Sequence, residues 1–252
     1  GFHTIDEPFN ELLCQGMVNK SAPFCETCSV TLSVDHWGSP CPHCDSPLGE
    51  RSAKMSKSLG NTVSPEQMIE QFGADTVRLF ILFAANPTAG MDWSDSAVEA
   101  NHRVLQQLQT MPDMLLGWDK PAHSIDEWML ARLRQRLQQW SDAMDRYDLR
   151  RAVECSHYDM VKDINWYVRR GGGSAHVGRE LLDAWTHMIA IATPHLAEDW
   201  WAMLSGEGLL AGHVMSENTP LSEQDQALLD GETLLRDLSL IHISEPTRQW
   251  SI

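Results

Sequence analysis

A clear helical period of apolar positions begins at residue 64. The stretch VSPEQMIEQFG places Ser64 as an N-cap, Pro65 at the first helical position, Gln67 as the closing member of a capping box and Gly73 as a stop, and predicts a short helix. ADTVRLFILFAAN predicts another from Asp75, apolar on nearly all faces and so expected to be buried. From MDWSDSAVEANHRVLQQLQTM onward the pattern is almost wholly helical. Ser124 with Glu127 is expected to cap a helix carrying Trp128, Leu130, Leu133 and Leu137 on one face. DLRRAVECSHYDMVKDINWYVRR reads as a further amphipathic segment, ended by Gly171, Gly172 and Gly173. RELLDAWTHMIAIATPHLAEDWWAML supplies the last long helix, with Pro194 as a kink or break. Four helices with short connections predict an α-bundle. Past Met203 the pattern fades into Gly-rich and acidic loop.

Upstream of residue 64 the reading differs. FNELLCQGMV, residues 9–18, predicts a short helix running into a strand, with Gly16 at the junction and the strand ending near Val18. Residues 24–49, FCETCSVTLSVDHWGSPCPHCDSPLG, are turn-rich without helical period. AKMSKSLGNTVSPEQ, residues 53–67, then puts two lysines on a small Ser/Gly backbone, which suits a loop that grips a phosphate; an ordinary solvated loop is the plainer reading. At the other end, LSLIHISEPTR, residues 238–248, alternates like a terminal strand but coincides with the translation of a transposase adapter used for sequencing libraries. Residues 238–252 are therefore expected to be adapter read-through and are set aside from the fold.

Composition narrows the class. With 252 residues, 42% hydrophobic, the chain can fill one large core or two modest ones. It has no apolar run of membrane-spanning length and no secretory signal, and it begins without Met, so a start further upstream is expected. A formal net charge of −16 argues against a protein that coats nucleic acid non-specifically, though local basic patches remain compatible with it. Six cysteines include two tight pairs, which without a secretion signal read as metal ligands rather than disulfides; the cytosol is the default compartment.

Those pairs are the strongest chemical signal. Cys25-x-x-Cys28 and Cys41-x-x-Cys44 can each point two thiolates at one ion, and four sulfurs meet the tetrahedral preference of zinc. With no open coordination position such a site is structural. A redox pair is the weaker alternative, His36 and His43 are nearby substitute ligands, and Cys14 and Cys155 read as plain core residues.

The run KMSKS at 54–58, with the helix after it and GADTVRLF, resembles the second signature of class I aminoacyl-tRNA synthetases. DEPFNELLCQGMV (6–18) and MDWSDSAVEANHRVL (91–105) resemble leucyl-tRNA synthetases on either side of that loop, and TPHLAEDWWAML (193–204) resembles the last helix of their anticodon-binding domain. Ala100 departs from an expected glycine, and the cysteine ribbon stands where many bacterial members carry a longer insertion. The resemblance implies adenylate formation, in which Lys54 and Lys57 engage the leaving pyrophosphate, Met55, Ser56 and Ser58 complete the ATP contact, and Gly60 lets the loop close. It further implies ATP with Mg²⁺, a structural Zn²⁺, and a cytoplasmic monomer acting on leucine, ATP and tRNA-Leu. The first His-containing signature, the leucine pocket and the editing domain fall outside this sequence, so the chain alone is expected to be inactive. Isoleucyl-, valyl- and methionyl-tRNA synthetases share the lysine loop. A non-catalytic zinc ribbon on a helical scaffold is the rival from another class; Glu26, Asp35 and Asp45, with no Lys or Arg between Cys25 and Cys44, disfavour nucleic-acid gripping by the ribbon.

The fold expected is an α/β remnant plus an all-α part: the end of a Rossmann-type catalytic domain (1–23) with a zinc-knuckle insertion (24–49), the lysine loop and its supporting helices (50–92), a helical anticodon-binding domain (93–230) and a tail (231–252). Arg132, Arg134 and Arg136 fall on an exposed-looking face, and Arg146, Arg150, Arg151, Lys162, Arg169 and Arg170 add a second basic group. Of these Arg132, Arg136, Arg150 and Arg151 are the candidate tRNA contacts, a solvated charged face being the other reading. The tryptophans, including Trp128, Trp140, Trp166, Trp185, Trp200 and Trp201, read as core.

Overall fold

The computed structural model describes residue 9 and residues 12–204, 208–212 and 219–244, the last seven of these by backbone only. The chain divides into two compact units, residues 1–105 with 147–150, and residues 106–146 with 151–252.

The first unit is organised by β1 (Val18–Cys25), which pairs on one edge with β3 (Gly49–Lys54), antiparallel from Asn19↔Lys54 to Phe24↔Gly49. Its other edge takes β2 (Val30–Thr31), antiparallel, at one end and β4 (Met91–Asp92), parallel, at the other. Between β1 and β4 the chain makes a helical crossover of the kind parallel pairing requires: α1 (Pro65–Phe72) and α2 (Ala74–Ala84). α1 starts and stops where its caps predict, with Ser64 Oγ accepting from the Gln67 N–H at 3.4 Å and the Gly73 N–H donating to the Ile69 carbonyl at 2.9 Å.

Three expectations change here. The helix expected over residues 9–18 is absent from residues 12–17; residues 10 and 11 lie outside the described set. Instead the Gly16 N–H donates to the Pro87 carbonyl at 2.7 Å, and a Cβ at Gly16 would stand 2.0 Å from the Ala89 carbonyl oxygen, so only glycine lets this segment lie against the loop. The strand begins at Val18 rather than ending there, and runs into the first cysteine. Finally, α2 is buried on one face, through Thr76, Val77, Leu79 and Phe80, while Ile81 is 37% exposed. Phe80 meets Trp93 edge-on at 4.9 Å, and Thr76 Oγ1 lies 3.1 Å from His102 Nδ1.

α3 (Asp95–Gln109) carries the chain into the second unit, an all-helical body of α4 (Met111–Leu116), α5 (Ser124–Asp145), α6 (Leu149–Val153), a π-helical turn (Glu154–Asp159), α7 (Met160–Arg169), α8 (Ala175–Ile189), α9 (Pro194–Leu204) and α10 (Glu223–Ser244). Trp185 and Trp200, stacked edge-to-face at 5.0 Å, sit fully inside with Tyr167, Met129, Leu181 and Met188, and Trp128, Trp166 and Trp201 are buried as expected. The cap of α5 is shifted by one residue from its expected place. His123 is the N-cap, its Nδ1 accepting from the Ile125 N–H at 3.3 Å, and Asp126 rather than Glu127 closes the box by accepting from the His123 N–H at 3.1 Å. Asp126 is drawn inward because the Tyr167 hydroxyl donates to it at 2.5 Å. The single segment expected over 148–170 carries a π turn, which leaves the Ser156 carbonyl to accept the indole N–H of Trp185.

Past Met203 the expected loop gives way to α10. Its helix is docked by polar ties as much as by apolar burial: Asp225 pairs with Arg134, and Glu232 accepts from the Trp166 indole at 2.9 Å and from Arg170 at 2.7 Å, around the buried Leu229. The backbone of α10 continues to Ser244, into the segment expected to be adapter read-through; residues 245–252 lie outside the described set. Among the described residues no helix is long and apolar enough to cross a membrane.

Candidate functional site

The ribbon between β1 and β3 is built on two matched turns. The first is the hairpin from β1 to β2, in which Cys25 pairs with Val30 and Ser29 takes a left-handed φ of 55° directly after Cys28. The second repeats it: Asp45, directly after Cys44, has φ 59°, its N–H donating to the Cys41 carbonyl at 2.9 Å, while the Cys41 N–H donates to the Ser46 carbonyl at 2.8 Å. Both turns aim their thiols at one point. The four sulfurs of Cys25, Cys28, Cys41 and Cys44 lie within 4.8 Å of one another, with Cys25 and Cys44 at 3.5 Å. A tetrahedral zinc with Zn–S of about 2.3 Å needs sulfurs roughly 3.8 Å apart, so this donor set fits a four-sulfur ion. The Cys28 N–H donates to Cys25 Sγ at 3.4 Å, a bond that steadies a thiolate ligand. His36 and His43 are not part of the cluster.

The thiols are already unequal. The Ser46 hydroxyl and backbone N–H hold the Cys44 thiol down at about 6, whereas the neighbouring Cys44 sulfur, burial and the other two sulfurs push Cys28 up to about 12. Of the two cysteines expected in the core, Cys155 is buried and pushed up by that burial, while Cys14 is exposed, on the segment that failed to form a helix.

The lysine loop starts at the end of β3. Lys54 is the last residue of that strand, opposite Asn19, and Lys57 opens the turn that follows; both are exposed, and neither ammonium is paired among the described residues. Met55 and Ser56 are half-buried beneath them, with the Met55 N–H donating to the Val18 carbonyl at 3.2 Å. Ser56 Oγ lies 3.2 Å from Ser58 Oγ and accepts from the Leu59 N–H at 3.3 Å, which shapes the turn. Gly60 closes it at φ 68°.

Sequence reasoning passed over Asn61, the buried centre of this loop, 2% exposed. Its Oδ1 accepts from the Ser56 N–H at 2.9 Å, and its Nδ2 donates to the carbonyls of Lys20 at 3.1 Å and Ala53 at 3.4 Å. The one local signal was an Asn directly after a turn glycine.

The expected basic face is corrected by the structure. Arg132 and Arg136 do not lie open: their side chains are 14% and 13% exposed, and Arg136 donates to Asp163 at 2.7 Å and to Asp159 at 2.9 Å. Arg132 stands 3.9 Å from Asp163, and burial pulls its pKa down against that attraction. The cause is Asp163, a carboxylate 1% exposed that must be compensated from within. Arg151 is engaged with Glu154 at 2.6 Å and Asp159 at 3.1 Å, and Lys162 with Asp159 at 3.1 Å. Arg150 is exposed in the first unit, its guanidinium 5.7 Å from the Phe83 ring centroid.

Comparison with known proteins agrees with these elements. Residues 48–94, which hold β3, the lysine loop, α1 and α2, match the family model of tRNA synthetases class I (I, L, M and V), and residues 126–243 match that of the anticodon-binding domain of tRNA ligase. A leucine–tRNA ligase of Thioalkalivibrio sulfidiphilus is 32% identical over 91% of this chain and 24% of its own length, and one of Methanothrix thermoacetophila is 32% identical over 70% of this chain and 18% of its own. The chain belongs to the leucyl-tRNA synthetase family. It spans less than a quarter to a fifth of the length of these relatives. Among solved structures, the ternary complex of Agrobacterium radiobacter K84 agnB2 LeuRS-tRNA-LeuAMS superposes with a TM-score of 0.59 over 89% of this chain and 26% of its own, at 24% identity, a likeness of fold.

Proposed function

We propose that this chain is the lysine-loop and anticodon-binding part of a leucine–tRNA ligase, which activates leucine with ATP and transfers it to tRNA-Leu. In the first step a leucine carboxylate oxygen attacks the α-phosphorus of ATP, the bond to the bridging oxygen breaks, and pyrophosphate leaves. Charge grows on that leaving group. The observation that carries the reading is the pair of exposed lysines, Lys54 and Lys57, unpaired among the described residues and rooted on a strand end and on a loop pinned from below. Ammonium groups so placed meet the pyrophosphate most strongly as it departs, which lowers the barrier rather than merely tightening binding. Met55, Ser56 and Ser58 border the same anion, the two hydroxyls as further donors. Mg²⁺ would travel with the ATP phosphates.

The cysteine cluster would hold a structural Zn²⁺ through Cys25, Cys28, Cys41 and Cys44, whose role is to cross-link the ribbon beside the loop. For tRNA, the buried pairing of Arg132 and Arg136 supports a scaffold role in the helical unit, with Arg150 the exposed candidate for phosphate and Arg151 only partly available. The working protein is read as a cytoplasmic monomer. The test is a chimera in which residues 12–237 replace the matching part of the Thioalkalivibrio relative. Leucine-dependent ATP–pyrophosphate exchange above that of the same relative with the part deleted is expected, and none at all would overturn the reading.

A further inference from the structure

Asn61 has the geometry of a clamp. It lies outside the five-residue lysine signature and is 2% exposed. All of its side-chain capacity goes to the backbone on which the lysines stand. Its Oδ1 takes the Ser56 N–H at 2.9 Å, and its Nδ2 spans the carbonyls of Lys20 on β1, Ala53 on β3 and, at 3.5 Å, Lys54 itself. One amide therefore joins both neighbouring strands to both sides of Met55. No other residue type does this. Aspartate keeps the acceptor but sets a second oxygen against the carbonyls, and alanine removes all of these ties, leaving the Ser56 N–H without its acceptor.

We propose that Asn61 is a positioning residue for the lysine loop: it holds the backbone at Lys54 and Ser56 on the β1–β3 pair, so that the ammonium groups of Lys54 and Lys57 emerge from fixed roots. The catalytic side of this inference rests on the synthetase reading above; the clamp itself does not. A loop that must close on a leaving pyrophosphate benefits from a rigid base, because displacement of a charge-stabilising donor by about 1 Å costs on the order of a hundredfold in rate. Local opening, in contrast, exposes the backbone at Lys54 and Lys57 to protease.

The clamp is read out on the chain as it stands. Trypsin cleavage after Lys54 and Lys57 is timed by mass spectrometry in the unaltered chain and in Asn61→Ala and Asn61→Asp, with cleavage after the exposed Arg146 of the helical unit as internal reference. Loss of two or more backbone ties should speed cleavage at the two lysines about tenfold or more, with Arg146 unchanged. Unchanged rates at the lysines, or a rise in step with Arg146, would overturn the clamp. In the chimera, Asn61→Ala should lower kcat of pyrophosphate exchange about tenfold while the KM for ATP stays within about threefold. A kcat equal to that of the unaltered chimera, or a KM that rises as much as kcat falls, would overturn the positioning role. If the unaltered chimera gave no exchange, the synthetase reading would fall and the protease result would still decide the clamp.

Discussion

The backbone N–H of Val34 donates to the carbonyl oxygen of Leu59 at 2.8 Å, and this bond joins the cysteine ribbon to the lysine loop. The contact is tight: a Cβ at Gly60 would stand 3.0 Å from Val34 Cγ2. Whatever orders the ribbon should therefore steady the loop. A four-sulfur site implies about one zinc per purified chain, absent from a Cys41→Ser, Cys44→Ser variant. Chelation should then raise trypsin cleavage after Lys57 by roughly threefold or more, as the loop loses one wall. Iron with a visible spectrum, no metal, or a loop indifferent to chelation would each count against this.

Lys57 should act on rate rather than on binding. In the chimera, Lys57→Ala is expected to lower the rate of leucine-dependent pyrophosphate exchange about a hundredfold, the size of losing one charge-stabilising donor, with leucine binding nearly unchanged. Equal losses in binding and rate would make the loop a structural one. Lys54→Ala, rooted in the strand itself, should follow the same split.

Which features were legible follows from how far apart in the chain their partners lie. The metal cluster could be read because four cysteines at short, matched spacings carry their own geometry, and α1 because Ser64, Pro65, Gln67 and Gly73 act within a few residues of one another. Asn61 was not legible, because the Lys20 carbonyl it holds is 41 residues upstream. Arg136 looked solvent-facing for the same reason: Asp159 and Asp163 lie 23 and 27 residues away, and a helical wheel cannot place them. α10 was missed because its docking depends on Asp225 meeting Arg134 across 91 residues, while its own apolar stripe is interrupted by Asp230 and Gly231. Local chemistry survives in a sequence; compensation between distant charges does not.

The Arg136–Asp163 pair gives the next expectation. Removing one partner of a buried ion pair strands the other, so Asp163→Ala should destabilise the helical unit by about 3–5 kcal/mol in urea unfolding. Replacing both, as Arg136→Met with Asp163→Leu, should cost less, since Arg136 no longer strands a partner and Asp159 keeps Arg151 and Lys162, with the loss of Asp163 beside Arg132 as the remaining cost. If the single and double variants lose the same stability, the pair is not coupled as the geometry indicates.

His157 sets the acid limit of the same unit. It is fully enclosed, with Nδ1 2.8 Å from Ser156 Oγ and Nε2 3.1 Å from Thr193 Oγ1, partners that suit a neutral ring. Burial pulls its pKa from the ordinary 6.5 down to about 3. Below pH 6.5 the unfolded chain takes up a proton at this position that the folded chain refuses. Its contribution to stability is thus complete above 6.5 and is lost progressively as the pH falls from 6.5 toward 3. At about 1.4 kcal/mol per unit, the loss by pH 5 is about 2 kcal/mol. Urea unfolding followed through the buried Trp185 and Trp200 at pH 7 and pH 5 measures the drop. His157→Gln, which has no proton to take up in either state, should be less stable at pH 7 yet lose about 2 kcal/mol less than the unaltered chain on acidification. Parallel pH profiles for the two proteins would show that the ring is protonated within the fold.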